Sequence, residues 1–324
     1  MRLTMRFLMA LLCLSLLFTG QALAADASKY PDKPIQLIVP FSPGGDTDLA
    51  ARSYAKALQG ILGKAVVVVN MGGASGSIGA TKVKDSAPDG YTVGFFQPTF
   101  MTTMVTGLIP FTYRDFELPG LCAKADGVLI VVRGDSPMKN VKDLVATAKK
   151  NPETVKFGIN VGGFTHILGT AFERATDTKI KMISVGGVAE HTANILGGHV
   201  DIVEGFPVML QSYLKTGRLR ALGIVSDKRS PHAPDVPTFK EQGVDLAMER
   251  FYFMVMPKGT PKEIVDKFGA ALKKATELEQ TKADLDKIGL YPEYMPQEEA
   301  YKYLDGQRTF YEQFKDILSS TKKK

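Results

Sequence analysis

Short runs of apolar residues, rich in Val and Ile, recur along most of the chain, and between many of them apolar residues return every three or four positions. The short runs have the length and composition of strands buried in a parallel sheet. The longer stretches, such as 49–62 and 141–150, have the period of amphipathic helices. We predict strands at 35–40, 66–70, 92–96, 128–132, 155–160, 180–185, 200–204 and 221–226. Strands that alternate with helices in this way indicate an α/β fold.

The pattern changes after residue 226. A Pro-rich stretch covers 230–237, and the chain beyond it is mostly helical in period. Thr260 and Glu263 have the spacing of a capping box, with Pro261 at the first helical position. A last helix is predicted at about 297–318.

Four Gly-Gly pairs stand at or just beyond the ends of predicted strands, each before a predicted helix. They are Gly44-Gly45, Gly72-Gly73, Gly162-Gly163 and Gly186-Gly187. Any one pair is explained by a tight turn alone. Four equivalent pairs favour a ligand site, because α/β sheets bind ligands at the carboxyl ends of their strands and helix N-termini attract anions. Two pairs come early and two late, which suggests two lobes that each contribute two loops.

The N-terminus has the features of a cleavable secretory signal. Arg2 and Arg6 precede an apolar run at 7–18, and small residues follow, ending at Ala24. The apolar run is too short to span a bilayer as a helix. We therefore predict a signal peptide at 1–24, cut after Ala24, and a periplasmic mature protein.

The composition, 44% hydrophobic and 23% charged, is that of a folded globular protein. The formal charge of +6 falls to +4 once Arg2 and Arg6 are removed with the signal, and we predict no nucleic-acid partner. Cleavage also removes Cys13, so Cys122 remains without a partner for an intramolecular disulfide. The hydrophobic core must therefore supply the stability.

Motifs for catalysis or cofactors are absent or incomplete. No dinucleotide loop or P-loop is present, the four His lack metal-ligand spacing, and Ser77 stands where a Gly-x-Ser-x-Gly elbow needs glycine. We predict no cofactor, no metal and no enzymatic activity. A secreted α/β hydrolase that uses Ser75 or Ser42 with His166 is the alternative. His166 itself has two interpretations, as a residue that lines the pocket and as a helix-capping or exposed residue.

Asp46 and Asp48 lie at the predicted start of a helix. They could be paired catalytic carboxylates, but Asp in the first helical turn more simply caps free N–H groups and complements the helix dipole. If an anion binds at this loop, we expect at least one of the two carboxylates to be held away from it or bridged through water.

The mature chain strongly resembles the tripartite tricarboxylate transporter receptors, the Bug-type periplasmic solute-binding proteins. The likeness is carried by Val39-Pro40-Phe41-Ser42-Pro43-Gly44-Gly45 and by the segments 30–35, 70–79, 87–92, 162–166, 196–201, 217–222, 235–238 and 257–261. The resemblance implies a two-lobed periplasmic binding protein fold of type II, with a small organic carboxylate clamped in the cleft between the lobes. We accordingly predict a first lobe formed by 25–123 and 228–324 and a second lobe formed by 124–227.

The resemblance also implies the ligand-binding residues and the partners. The expected contacts are Phe41, Ser42, Gly44, Gly45, Asp48, Ala74, Ser75 and Gly76 in the first lobe, and Gly162, Thr165, His166, Ser184, Gly186, Glu204 and Phe206 in the second. Relatives hand their ligand to membrane permease subunits, and a sensor kinase is an alternative recipient that uses the same closed form.

The chain departs from the family pattern at several positions. Asp46 replaces a small residue, Ser184 replaces a common Tyr, and Glu204 lies in a segment that often contains Phe-Asp. An added acid at the cleft would repel a second ligand carboxylate and suit an amino or hydroxyl group, unless Glu204 points away. Arg250 has two interpretations, as a partner of a distal carboxylate and as a surface residue.

Overall fold

The computed structural model describes residues 29–125, 127–186 and 188–315, where eleven strands form two sheets connected by ten α-helices. The strands are β1 (Ile35–Val39), β2 (Val66–Asn70), β3 (Thr92–Phe96), β4 (Phe116–Ala125), β5 (Val128–Arg133), β6 (Lys156–Ile159), β7 (Lys181–Ser184), β8 (Ile202–Gly205), β9 (Leu219–Val225), β10 (Phe251–Pro257) and β11 (Leu290–Met295). The helices are α1 (Asp46–Leu62), α2 (Ser77–Lys84), α3 (Thr99–Val105), α4 (Val141–Lys150), α5 (Phe164–Thr176), α6 (Val188–Leu196), α7 (Pro207–Lys215), α8 (Lys262–Glu277), α9 (Glu279–Asp286) and α10 (Gln297–Glu312). The predicted signal peptide, its cleavage site after Ala24 and the residue Gly187 lie outside the described residues.

The two sheets have the orders β11-β4-β10-β3-β1-β2 and β7-β6-β8-β5-β9. β1 is parallel to β2 and β3, and β6 is parallel to β7 and β8. β5 is antiparallel to β8 and β9, and β10 is antiparallel to β3 and β4. The predicted α/β class is confirmed, but both sheets are mixed, whereas the apolar runs indicated strands of a parallel sheet. The chain enters β5 from the first sheet and β10 from the second sheet. Neither strand is reached through the helical crossover that joins parallel neighbours, so each can run antiparallel to the strands beside it.

All eight predicted strands are present, with ends within two residues of the predicted ones. β4, β10 and β11 were not predicted. The helix predicted at 49–62 begins earlier, at Asp46, and the helix at 141–150 matches α4. The last helix begins as predicted and ends at Glu312, and residues beyond 315 lie outside the described part.

The predicted capping box at Thr260 is wrong. The Thr260 hydroxyl donates to the carbonyl of Pro257 at 2.7 Å and accepts no hydrogen bond from the helix that follows. α8 begins at Lys262 with Pro261 as its N-cap and has no side-chain cap. Pro261 therefore precedes the first helical residue instead of being that residue.

The chain crosses between the sheets twice, from β4 to β5 at residues 125–128 and from β9 to β10 at residues 225–251. Within the second crossing, the Phe239 N–H donates to the carbonyl of Ile224 in β9 at 3.0 Å, so this part of the chain pairs with the second sheet. The lobe boundaries predicted at 123/124 and 227/228 stay a prediction. We retain them as a proposal for the two rigid bodies.

Helix α1 packs against the first sheet through a stripe of residues three or four positions apart, which includes Ala51, Tyr54 and Leu58, all fully buried. The Tyr54 hydroxyl donates to the backbone carbonyl of Cys122 in β4. Cys122 is itself buried, and burial raises the pKa of its thiol well above the ordinary value. This packing fixes the start of α1 at the end of β1.

Among the described helices, none combines the length and apolarity of a membrane span.

Candidate functional site

A cavity of about 260 Å³ lies between the loops of the two sheets. The first sheet contributes the loops after β1, β2 and β3, and the second contributes the loops after β6 and β7 and the end of β8. The lining residues are Pro40, Phe41, Ser42, Gly45, Asp46, Thr47, Gly72, Gly73, Ala74, Ser75, Gly76, Gln97, Thr99, Asn160, Phe164, Thr165, Gly186, Glu190, His191, Glu204 and Arg250. Ligands bind at this edge of open α/β sheets, so the cavity is the candidate ligand site.

Two helices begin at the cavity without a side-chain cap. The N-caps are Gly45 for α1 and Gly163 for α5, and neither position provides a side-chain hydrogen bond. The first N–H groups of a helix have no partner inside the helix and carry partial positive charge. Thr47 and Thr165, in the first turns, line the cavity. The loops therefore offer uncharged backbone donors that suit an anionic group.

The Asp48 carboxylate organises the first loop from behind the cavity wall. It accepts from the backbone N–H of Gly44 at 2.9 Å, from Asn70 at 2.9 Å and from the guanidinium of Arg52 at 3.0 Å. Burial alone would raise the pKa of Asp48, but these hydrogen bonds outweigh it and lower the pKa. Asp48 thus stays ionised and holds the loop in shape.

The loop after β2 has an unusual backbone. Ala74, Ser75 and Gly76 have φ values of 45°, 53° and 86°, which are all in the left-handed region. Only glycine adopts this region without strain. The loop ends at the N-terminus of α2, and the Ser75 hydroxyl donates to the carbonyl of Val161 in the loop after β6. This hydrogen bond joins loops of the two sheets across the cleft.

His166 supports the loop after β6 from within helix α5. The N–H of Gly162 donates to His166 Nδ1 at 3.1 Å, so Nδ1 carries no proton. Burial lowers the pKa of His166, which also favours the neutral ring. The N–H of Phe164 in turn donates to the Thr99 hydroxyl at 3.2 Å, a second link between the loops of the two sheets.

A buried ionic cluster forms one wall of the cavity. The Arg250 guanidinium donates to Asp46 Oδ2 and to Glu204 Oε1, each at 3.0 Å, and to the Tyr252 hydroxyl at 3.3 Å. The Tyr252 hydroxyl donates to Asp46. Arg250 is only 5% exposed, Asp46 3% and Glu204 1%. One cation is therefore shared between two buried carboxylates.

Two side chains of this wall keep polar atoms without a hydrogen bond. Glu204 does so through Oε2, and His191 through its ring nitrogens, which lie near the backbone carbonyls of Glu204 and Gly186. Burial raises the pKa of Glu204 to about 7. The Arg250 guanidinium lowers this pKa, and the negative charge of Asp46 raises it and so offsets part of the effect of Arg250. Burial lowers the pKa of His191 to about 4, so its imidazole is neutral near pH 7.

The predicted site residues divide into two groups. Those that line the cavity are Phe41, Ser42, Gly45, Ala74, Ser75, Gly76, Thr165, Gly186 and Glu204. Those that do not line it are Gly44, Asp48, Gly162, His166, Ser184 and Phe206. Of the second group, Gly44 and Gly162 are held by the carboxylate and imidazole described above, and the Phe206 ring lies 5.1 Å from the guanidinium carbon of Arg250. Ser184 is exposed at the end of β7. Direct ligand contact by these residues stays a prediction.

Several lining residues were not among the predicted contacts. Gln97 and Thr99 follow β3 directly, so the rule that places ligands at strand ends would have found them. His191 carried no local signal, because it lies within helix α6. Arg250 is buried, so its interpretation as a surface residue is wrong, and Glu204 does not point away from the cleft. The interpretation of Asp46 and Asp48 as helix caps is wrong, because α1 has no side-chain cap: Asp46 binds Arg250 and Tyr252, and Asp48 accepts from the Gly44 N–H.

The arrangement gives no support to a serine nucleophile. The Ser75 hydroxyl donates to Val161, and Nδ1 of His166 accepts from Gly162. In the described ranges no group of three or more His, Cys, Asp or Glu side chains could hold a metal ion.

Comparison with known proteins gives a consistent result. The family model described as "Tripartite tricarboxylate transporter family receptor" matches residues 50–314. Protein BugT of Bordetella pertussis is 36% identical over 264 residues, which cover 80% of this chain and 81% of the relative. A protein encoded in the gbd 5′ region of Cupriavidus necator is 34% identical over 275 residues, which cover 84% of this chain and 83% of the relative.

Solved structures show the same likeness. The periplasmic binding protein BugD superposes with a TM-score of 0.81 at 30% identity and covers 89% of this chain and 98% of its own. A protein of R. palustris solved with adipate superposes with a TM-score of 0.81 at 26% identity, with the same coverage. The two-lobed architecture of these proteins is the one described above.

Proposed function

The chain belongs to the tripartite tricarboxylate transporter receptor family, and on that premise we propose that it is a periplasmic receptor that captures a small organic carboxylate. It delivers this ligand to the membrane permease subunits of the transporter and catalyses no reaction. Receptors of this family are solute-binding proteins. The identity of the ligand, the periplasmic location and the permease partner are the parts that we propose for this chain.

One observation carries the proposal: helices α1 and α5 begin at the same cavity, one from each side, with glycine N-caps that provide no side-chain hydrogen bond. Backbone N–H groups at such helix ends bind carboxylates without a paired cation. The adipate in a relative at 26% identity agrees with this chemistry. The Ser75–Val161 and Phe164–Thr99 hydrogen bonds support a mechanism in which the two sheets close over the ligand.

Isothermal titration calorimetry on the mature chain tests the proposal. The protein is first unfolded and refolded to remove any ligand carried from the host, and is then titrated with succinate, glutarate, adipate, citrate and aromatic acids. We expect at least one to bind, and to bind at least about tenfold tighter than its amide, because charge-assisted hydrogen bonds contribute more than neutral ones. If no carboxylate of the panel binds, the proposal is overturned.

Delivery to the permease is tested separately. Loss of this chain should abolish uptake of the bound carboxylate in the host, and a variant that binds the ligand but cannot close should not restore uptake. The sensor-kinase alternative has no support in the contacts of the described residues, and we do not extend the proposal to it.

A further inference from the structure

The polar atoms that lack a protein partner are concentrated at one place in the cavity. Glu204 Oε2 has no hydrogen bond, and the ring nitrogens of His191 make none either, although the backbone carbonyls of Glu204 and Gly186 lie near them; both residues are 1% exposed. Both residues line the cavity. Buried polar atoms are nearly always hydrogen-bonded, because each one left without a partner is costly. The wall formed by Glu204 and His191 is therefore built to contact a polar group of a ligand.

The charges behind this wall decide the sign of that group. Arg250 is already engaged, with Nη1 on Glu204 and Nη2 on Asp46, each at 3.0 Å. Two carboxylates thus face one guanidinium, and with Glu204 ionised the cluster carries one negative charge in excess. His191 is neutral and adds none. A second ligand carboxylate would find no unshared cation here, whereas a cation would neutralise the excess.

The unpartnered acceptor atoms of this wall also suit the hydrogen bonds that an ammonium group donates. A protonated amine has three donors and no acceptor, while a hydroxyl has a single donor and no charge. Glu204 Oε2 is an acceptor, and a neutral imidazole provides one acceptor nitrogen and one N–H donor. An ammonium group can donate to Glu204 Oε2 and to the acceptor nitrogen of His191, while the His191 N–H faces a backbone carbonyl of Glu204 or Gly186.

We propose that Glu204 and His191 bind a protonated amino group, so that the ligand of this receptor is an amino carboxylate and not a simple di- or tricarboxylate. The inference rests on the proposed function, because the helix N-termini must hold the carboxylate of the same molecule. Burial raises the pKa of Glu204 to about 7 without a ligand, and a bound ammonium group would hold the side chain ionised.

Calorimetry with matched ligand pairs tests this inference on the refolded mature chain. One series compares 6-aminohexanoate with adipate and 5-aminovalerate with glutarate, and a second compares aspartate with succinate and glutamate with glutarate. We expect the amino form to bind about 10- to 100-fold tighter in at least one pair, the range for a charged hydrogen bond in a buried site. If the parent carboxylate binds at least as tightly in every pair, the inference is overturned while the proposed function stands. If neither form binds in any pair while citrate or an aromatic acid does, the inference is overturned and the proposed function stands; if no carboxylate binds at all, both fail.

The substitution Glu204→Gln provides a second test, because it keeps the shape of the side chain and removes its charge. We expect the amino form to lose at least about tenfold in affinity relative to the parent carboxylate, because only the amino form donates to the ionised side chain. Glu263→Gln is the matched control, since it removes the same charge at an exposed position on α8. Equal losses for both ligand forms would overturn the inference. The ligand comparison on the unaltered chain does not depend on whether Glu204→Gln folds.

Discussion

The Arg250 guanidinium lies 3.0 Å from the Asp46 carboxylate, in a buried ion pair between residues 204 positions apart in the sequence. Asp46 is in the first turn of α1, and Arg250 directly precedes β10, so the pair ties the first glycine loop to the end of the second crossing between the sheets. Glu204 adds a third member from β8, in the second sheet. The same cluster therefore links both sheets at the wall of the cavity.

Replacement of Arg250 by Met should destabilise the protein strongly. Asp46 and Glu204 would then lie buried without a cation, and breaking a buried pair in this way costs about 3–5 kcal/mol. Arg250→Lys should recover only part of the loss, because one ammonium group cannot reproduce the planar fork that spans both carboxylates. Urea unfolding at pH 7 measures both.

A triple variant provides the control for this prediction. Arg250→Met combined with Asp46→Asn and Glu204→Gln leaves no charge in this cluster, so it should recover most of the lost free energy of unfolding. A loss below about 1 kcal/mol for Arg250→Met alone would contradict the assignment of the cluster as a buried, coupled unit.

The pH dependence of stability should reveal Glu204 and His191 as opposing contributions. The pKa of Glu204 rises from 4.5 to about 7 on folding, so its stabilising effect is complete below pH 4.5 and is lost as the pH rises through 7. The pKa of His191 falls from 6.5 to about 4, so its effect is complete above pH 6.5 and is lost as the pH falls through 4. The two slopes oppose each other between pH 4.5 and 6.5. Arg250 and Asp46 are the other charged groups that face this pair.

Single variants should separate these slopes. In Glu204→Gln the free energy of unfolding should rise between pH 4.5 and 6.5, and in His191→Gln it should fall, each relative to the unaltered chain and by on the order of 1–3 kcal/mol. Urea unfolding across this range measures the change, with Glu263→Gln as the control. Parallel pH profiles for both variants would show that the two side chains do not titrate as their burial implies.

Glycine substitutions should distinguish close packing from open turns. An added Cβ at Gly79, in α2, would lie 2.9 Å from both the Met71 carbonyl oxygen and Pro40 Cβ, next to two cavity loops. Gly79→Ala should therefore destabilise the protein by about 1–3 kcal/mol and weaken ligand binding. Gly60→Ala is the control, because a Cβ in that part of α1 meets nothing within 4 Å and Ala favours the helix by up to about 1 kcal/mol. Thermal unfolding of both variants checks the contrast.

Much of the fold followed from local pattern, because buried Val- and Ile-rich runs bounded by loops have few alternatives to a strand. Two of the three strands that were not predicted lack that signal; β10 is an unbroken buried apolar run and could have been predicted from it. β4 is interrupted by Pro119 and Gly120 and has no β-branched residue, and β11 contains Pro292. β4 and β11 owe their extended form to antiparallel neighbours across the sheet, and the local sequence does not reveal them.

The site shows the same division. The glycine loops could be predicted because each is a local turn before a helix. The ionic cluster could not, because whether Asp46, Glu204 and Arg250 turn inward depends on all three, and they come from segments far apart in the chain. A buried charge is tolerated only where its partners are present, and the sequence does not show which charges meet.

His166 should control ligand affinity through the loop that it holds. Its Nδ1 accepts the Gly162 N–H at 3.1 Å and so holds the loop that precedes α5. His166→Ala removes this acceptor and should weaken carboxylate binding by about 2- to 12-fold, the value of one neutral hydrogen bond. His166→Asn places an amide oxygen close to the position of Nδ1 and should restore part of the affinity, whereas His166→Leu, which is apolar, should not. Calorimetry with the tightest carboxylate measures all three, and equal affinities for the Asn and Leu variants would show that the hydrogen bond to Gly162 does not set the loop.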